Sequence, residues 1–151
     1  MSGVNLKALV GKLNPTCRTA LEQSVALCMS RTNYNTEIEH WLTKLLEVSN
    51  TDLELICRQY GVDHSRLQKD LTRSLDRLKT GNARPPALSP AVVDLARDAW
   101  VLASVEYGES QTRSGHLLLA LLSNELTSRQ IVDACPELAR IKPDSLKVEL
   151  P

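Results

Sequence analysis

The sequence predicts an all-α fold in which a four-helix plan occurs twice, preceded by one extra amphipathic helix. The segment 39–46 returns 76 residues later as 115–122, with His40 over His116, Leu42 over Leu118, and Leu45 and Leu46 over Leu121 and Leu122. Apolar residues kept at i, i+3 and i+4 mark one stripe of a helix, so the same helix occurs twice. Leu13-Asn14-Pro15 returns as Leu88-Ser89-Pro90 at an offset of 75, and Thr36 returns as Thr112 at the capping position before each Leu-rich helix. Phe is absent, and Trp41 and Trp100 are the only very large side chains. Core volume then falls to Leu, Ile, Val and Ala, which favours helices over a sheet rich in β-branched and aromatic residues.

A chain of 151 residues holds one compact domain, or two halves sharing a core. Halves of about 75 residues are marginal alone. With 42% hydrophobic and 24% charged residues the composition is that of a folded protein. Lys plus Arg equals Asp plus Glu at 18 each, and no basic run offers an electrostatic footprint for nucleic acid or an anionic membrane. The longest apolar run, 117–122, is far below the ~20 residues that span a bilayer, and the N-terminus lacks an apolar signal core, so a cytoplasmic protein is expected. Cys17, Cys28, Cys57 and Cys135 form no CxxC. Cys17 and Cys28, on one helix, lie roughly 16 Å apart and cannot pair. Small buried thiols in a reducing compartment are the expectation.

Taken in order, Leu6, Leu9, Val10 and Leu13 form a single stripe on a helix too short to hold alone, so it must lie on something. Asn14 offers a side-chain cap and Pro15 suits a first helical position, which starts the next helix, running to about Arg31. Its apolar and small residues, Cys17, Ala20, Leu21, Ser24, Val25, Leu27 and Cys28, spread over roughly 160° of the wheel, wider than one packing partner needs. Small members would let a further helix approach closely. Thr36-Glu37-Ile38-Glu39 fits a capping box for the first Leu-rich helix. His40 sits just inside it, and its recurrence as His116 points to packing or capping rather than catalysis. Leu53, Ile56, Cys57 and Tyr60 make the next helix, ended by Gly61 as a left-handed cap. After Asp63, Leu67, Leu71, Leu75 and Leu78 define a long helix with a charged, solvated outer face. The Gly- and Pro-containing stretch that follows excludes a continuing helix. A helix from Ser89-Pro90 ends at Gly108, and the second Leu-rich helix carries Leu119 and Ala120 where the first has Thr43 and Lys44. It is either more deeply buried or an apolar surface patch. Ile131, Val132, Cys135, Leu138 and Ile141, then Leu146, Val148 and Leu150, complete a second repeat whose last helix looks cut short. The expected organisation is an added helix at 1–13, a first repeat at 14–79, a linker at 80–88 and a second repeat at 89–151.

The two motifs at 39–46 and 115–122, with the starts Asn14-Pro15 and Ser89-Pro90, resemble the double Clp-N repeat at the N-terminus of Clp/Hsp100 AAA+ unfoldases, over about residues 13–150. Within that family, residues 13–22 with the added helix before them are most similar to the ClpV branch, the unfoldases of bacterial type VI secretion. The resemblance implies the Clp-N fold, a pseudo-twofold all-α domain of two four-helix repeats, and, in the ClpV branch, recognition of an N-terminal helix of the contracted sheath protein for disassembly and recycling. It implies the sheath helix and the unfoldase's own AAA+ domains as partners, a monomeric fragment, and ATP and Mg only in the ATPase domains, with no cofactor in this one. No GxxxxGK[ST] occurs, so the chain has no Walker-type phosphate cradle. The expected peptide-binding groove has Leu6, Leu9, Val10 and Leu13 on one wall, Leu21, Ser24, Val25 and Cys28 on the other, and Pro86, Ala87 and Leu88 near one end. The alternative is a general adaptor- or unfolded-substrate-binding Clp N-domain. A hydrolase built on one cysteine and His40 or His116 finds no GxSxG, HExxH or carboxylate pair to support it.

Overall fold

The computed structural model describes residues 5–150; residues 1–4 of the expected added helix and Pro151 lie outside the described residues. Helix α1, Leu6–Lys12, is capped by Asn5, whose side-chain oxygen accepts the Ala8 N–H at 3.1 Å. Leu13 is extended, and α2, Pro15–Ser30, starts on Asn14, whose side chain accepts the Cys17 N–H at 2.9 Å. The first repeat continues through β1, Asn35–Thr36, then α3, Ile38–Leu46, α4, Asp52–Gln59, and α5, His64–Asp76. Gly61 has φ +68°, the left-handed conformation expected of it. The second repeat runs through β2, Ala87–Leu88, then α6, Pro90–Val101, a π-helical turn at Leu102–Glu106, α7, Ser114–Ser123, α8, Glu125–Ala134, a 3₁₀ turn at Pro136–Arg140, and α9, Pro143–Glu149. The last helix has 7 residues against 13 in α5, the shortening anticipated from the apolar pattern.

The caps of the Leu-rich helices differ from the expected box. Glu37, not Thr36, is the N-cap of α3, and His40 Nδ1 accepts the Glu37 N–H at 2.8 Å. Arg113 likewise caps α7, and His116 Nδ1 accepts its N–H at 2.9 Å. Imidazole thus does the work of the Glu or Gln of a capping box. Thr36 is unavailable as a cap because its backbone is already committed to β pairing. Thr36 pairs with Leu88, and Ser89 N–H donates to Thr36 O at 3.0 Å. At the related place Leu13 bridges Thr112, with Thr112 N–H donating to Lys12 O at 2.7 Å and Asn14 N–H to Thr112 O at 2.9 Å. Each repeat therefore lends the residue before its first helix to the other repeat. The pseudo-twofold relation lies in this reciprocal exchange.

Helix α7 is the centre of the packing. Every residue from Ser114 to Leu122 is buried, beneath α6, α4, α8 and α9, so the apolar Leu119 and Ala120 reflect depth rather than a surface patch. Burying each of its leucines is worth about 1.5–3 kcal/mol. Its N-terminus exchanges caps with α4 of the other repeat: Gly115 N–H donates to Asp52 Oδ2 at 3.2 Å, and Leu53 N–H donates to Ser114 Oγ at 3.1 Å. Gly115 fits this close approach: a Cβ would push the Leu150 methyl aside and lie 3.1 Å from Asp52 Oδ2. In the first repeat Trp41 of α3 is buried, its Nε1–H donating to Cys17 O of α2 at 3.1 Å.

Candidate functional site

Helix α1 lies on α6 with no residue of its own buried. Val10 packs against the core and Leu9 is half-buried, while Leu6 is 40% exposed. Lys12 Nζ sits 4.9 Å above the Trp100 ring, a cation–π contact on the α6 side. Leu13, the last member of the stripe, is only 1% exposed and belongs to the core.

The other expected wall faces inward. Leu21, Ser24 and Cys28 are buried because the broad stripe of α2 is covered along most of its width by α3. Ser24 Oγ donates to Leu21 O at 2.6 Å and Cys28 Sγ to Asn33 O at 3.6 Å, so both small polar groups are satisfied locally. Val25 alone of that wall is half-buried. Pro86 and Leu88 are half-buried and Ala87 exposed, on the segment that ends in β2. The wide stripe thus arose from contact with α3, and α1 takes α6 rather than α2 as its support. Accessible apolar surface from the expected set comes from Leu6, Leu9, Val10, Val25, Pro86, Ala87 and Leu88.

Burial pushes the Cys17 thiol up to about 12, Cys135 to about 12 and Cys57 to about 11, and raises Cys28, so all four stay protonated thiols inside the fold. The two capping imidazoles are held neutral. Burial first, then the Arg31 charge, lowers His40 to about 4; burial, then Arg113, lowers His116. Among the described residues no cluster of three His, Cys, Asp or Glu side chains could hold a metal, and no helix is long and apolar enough to cross a membrane. The role of His40 and His116 as helix caps was legible from their repetition; the part of Asn33 as second partner of His40 was not, since nothing in the local pattern marks it.

Comparison with known proteins bears on what such a surface meets. The Clp repeat (R) N-terminal domain family matches residues 12–135. The AAA+ ATPase ClpV1 of Pseudomonas aeruginosa is 36% identical over 146 residues, 97% of this chain, and the chain spans 16% of that relative's length. A structure from work on the coevolution of the ATPase ClpV, the TssB-TssC sheath and the accessory HsiE protein in type VI secretion aligns over 99% of this chain and 93% of its own, at 35% identity and a TM-score of 0.94. A complex of a ClpV N-domain with a VipB peptide aligns over 95% and 88% at 28% identity and a TM-score of 0.79.

Proposed function

The chain belongs to the Clp repeat (R) N-terminal domain family, and on that premise we propose that it is the substrate-recognition domain of a type VI secretion AAA+ unfoldase, binding an amphipathic helix of the contracted sheath protein. The observation that carries the reading is the likeness, over nearly the whole chain, to a ClpV N-domain bound to a peptide. The half-exposed edge of α1 supports it, because Leu6, Leu9 and Val10 keep apolar surface accessible where the rest of the stripe is buried. Val25 and the Pro86–Leu88 segment supply the remaining accessible apolar residues of the surface. As a binding module the domain performs no catalysis and needs no cofactor; ATP is the business of the parts of the relatives that lie beyond this span.

A guest helix burying three or four Leu- or Ile-sized side chains gains about 1.5–3 kcal/mol from each, before association costs reduce the total to about the micromolar range. That strength suits a grip that has to release. Calorimetric titration with a synthetic sheath-subunit helix should give saturable binding, lost in Leu9→Glu and in a chain lacking residues 1–12. Both half-buried positions, Leu9 and Val25, tolerate a charge without emptying the core, so circular dichroism should be unchanged in Leu9→Glu and Val25→Glu. Full affinity in both folded variants overturns the surface assignment. Equal affinity for unrelated denatured proteins would establish the general adaptor function instead.

A further inference from the structure

The repeats part company at one polar site. In the first, both nitrogens of His40 are bonded: Nδ1 accepts the Glu37 N–H, and Nε2 meets Asn33 Oδ1 at 3.0 Å. In the second, His116 Nδ1 accepts the Arg113 N–H at 2.9 Å, which places the proton of the neutral ring on Nε2. The ring is fully buried, and that N–H finds no acceptor among the described residues. Where Asn33 stands in the first repeat, the second has Glu109. Each follows the left-handed residue that ends the preceding helix, Thr32 or Gly108, and each returns its N–H to that helix, at Cys28 O or Ala103 O. Glu109 is only half-buried and does not reach the imidazole.

The consequence runs to α1. Arg113 directly follows Thr112, and the Thr112 backbone brackets Leu13 through the bonds to Lys12 O and from Asn14 N–H. Since α1 buries no residue of its own, this bracket and the Leu13 side chain add to Val10 on the core and Lys12 over Trp100 in seating it. We propose that His116 is a positioning residue for α1: its Nδ1, by accepting the Arg113 N–H, fixes Thr112 in the conformation that seats Leu13, and uptake of a proton by the ring releases that seat. An imidazolium carries N–H at both nitrogens, so Nδ1–H would face the Arg113 N–H donor against donor, while Nε2–H becomes an attractive partner for the Glu109 carboxylate. Burial and Arg113 oppose the proton, and Asp52 of α4 and Glu109 favour it. The Tyr107 ring lies 5.4 Å from the imidazole with its hydroxyl donating to Lys147 O of α9, and Lys147 is paired with Glu106. Arg97 of α6 is paired with Asp94 and Asp98, and Arg129 of α8 with Glu125.

The bearing of this device on guest affinity rests on the proposed function; the device itself does not. Native-state hydrogen exchange of the 151-residue chain tests it directly, with each amide's rate divided by its intrinsic rate at the same pH. Between pH 7.5 and 5, protection at the Asn14 and Thr112 amides should fall about tenfold, within the tenfold per pH unit that one linked proton allows. His116→Gln keeps an acceptor at the N3 position without a titrating proton, and Glu109→Asn gives Nε2–H the partner that Asn33 gives His40. His116→Gln should hold protection at Asn14 and Thr112 within twofold across the range, whereas Glu109→Asn, in which His116 still takes up a proton at Nδ1, should keep the wild-type fall. Constant protection in the wild type, or the same loss in His116→Gln, overturns the proposal. Calorimetry with the synthetic sheath helix at the two pH values then separates the two readings. A fivefold or greater weakening in the wild type that is absent from His116→Gln supports both, whereas lost protection at constant affinity upholds the device and removes α1 from the guest surface.

Discussion

His40 gives the fold a pH dependence that can be isolated at a single residue. Its ring is fully buried and its folded pKa of about 4 lies below the unfolded value near 6.5, so the unfolded chain takes up the proton first. Stability is therefore full above pH 6.5 and is lost as pH falls from 6.5 towards 4, by about 3 kcal/mol in total. Burial raises the neighbouring Glu37 carboxyl, which acts in the opposite sense, so the difference between wild type and a variant is the quantity to read. His40→Gln retains an acceptor for the Glu37 N–H and loses the titration. Urea unfolding at pH 7 and pH 4.5 should show the wild type losing about 2–3 kcal/mol more than this variant; equal losses would assign the acid sensitivity to carboxylates. The repeated histidine could be read as a cap because its position recurs with the helix. Thr36 misled for a physical reason: Thr is a good N-cap in isolation, but its backbone pairs with Leu88, a partner that no local pattern reveals.

At the scale of elements, the two offsets in the sequence have a structural cause. Repeat starts are related by 75 residues and the Leu-rich helices by 76. Cys28 and Ala103 hold equivalent places by the first offset, and the left-handed Thr32 and Gly108 by the second, so the extra residue lies between Ala103 and Gly108. The π-helical turn at Leu102–Glu106 absorbs it, as an insertion into an α-helix is usually absorbed. The duplication showed that a residue had been added; only the backbone shows that the helix widened rather than the loop. Deleting Val105, which is 72% exposed, should return this turn to the α geometry of α2 while leaving Tyr107 against His116. The variant should fold, with a melting temperature within about 3 °C of the wild type, corresponding to about 1 kcal/mol or less. A larger drop would mean that the wide turn itself supports Tyr107. The stripe of α2 was misjudged for a related reason. Its seven small and apolar residues fix its width, but whether α3 covers that width is a tertiary fact, and Leu21, Ser24 and Cys28 turn out to be under it.

For the whole molecule, exchange between the repeats decides cooperativity. Leu13 and Leu88 each cross to pair with the other repeat, Asp52 and Ser114 cap each other's helices, and α4 and α5 of the first repeat pack on α7 and α8 of the second. Glu149 of α9 closes the same boundary by accepting from Gln59 Nε2 at 2.8 Å and Tyr60 hydroxyl at 2.7 Å. A half of the chain would keep its own Leu-rich helix but lose the partner that covers one of its faces, and a unit of about 75 residues has little stability to spare. Residues 1–82 and 83–151 expressed apart should each show no cooperative thermal transition by circular dichroism, while the intact chain melts in one step. Mixing the halves should restore helicity with a dependence on concentration, because the crossed strands and caps form only between them. A half that melts cooperatively alone would locate its stability within the repeat, and the crossings would then orient two finished units rather than complete them.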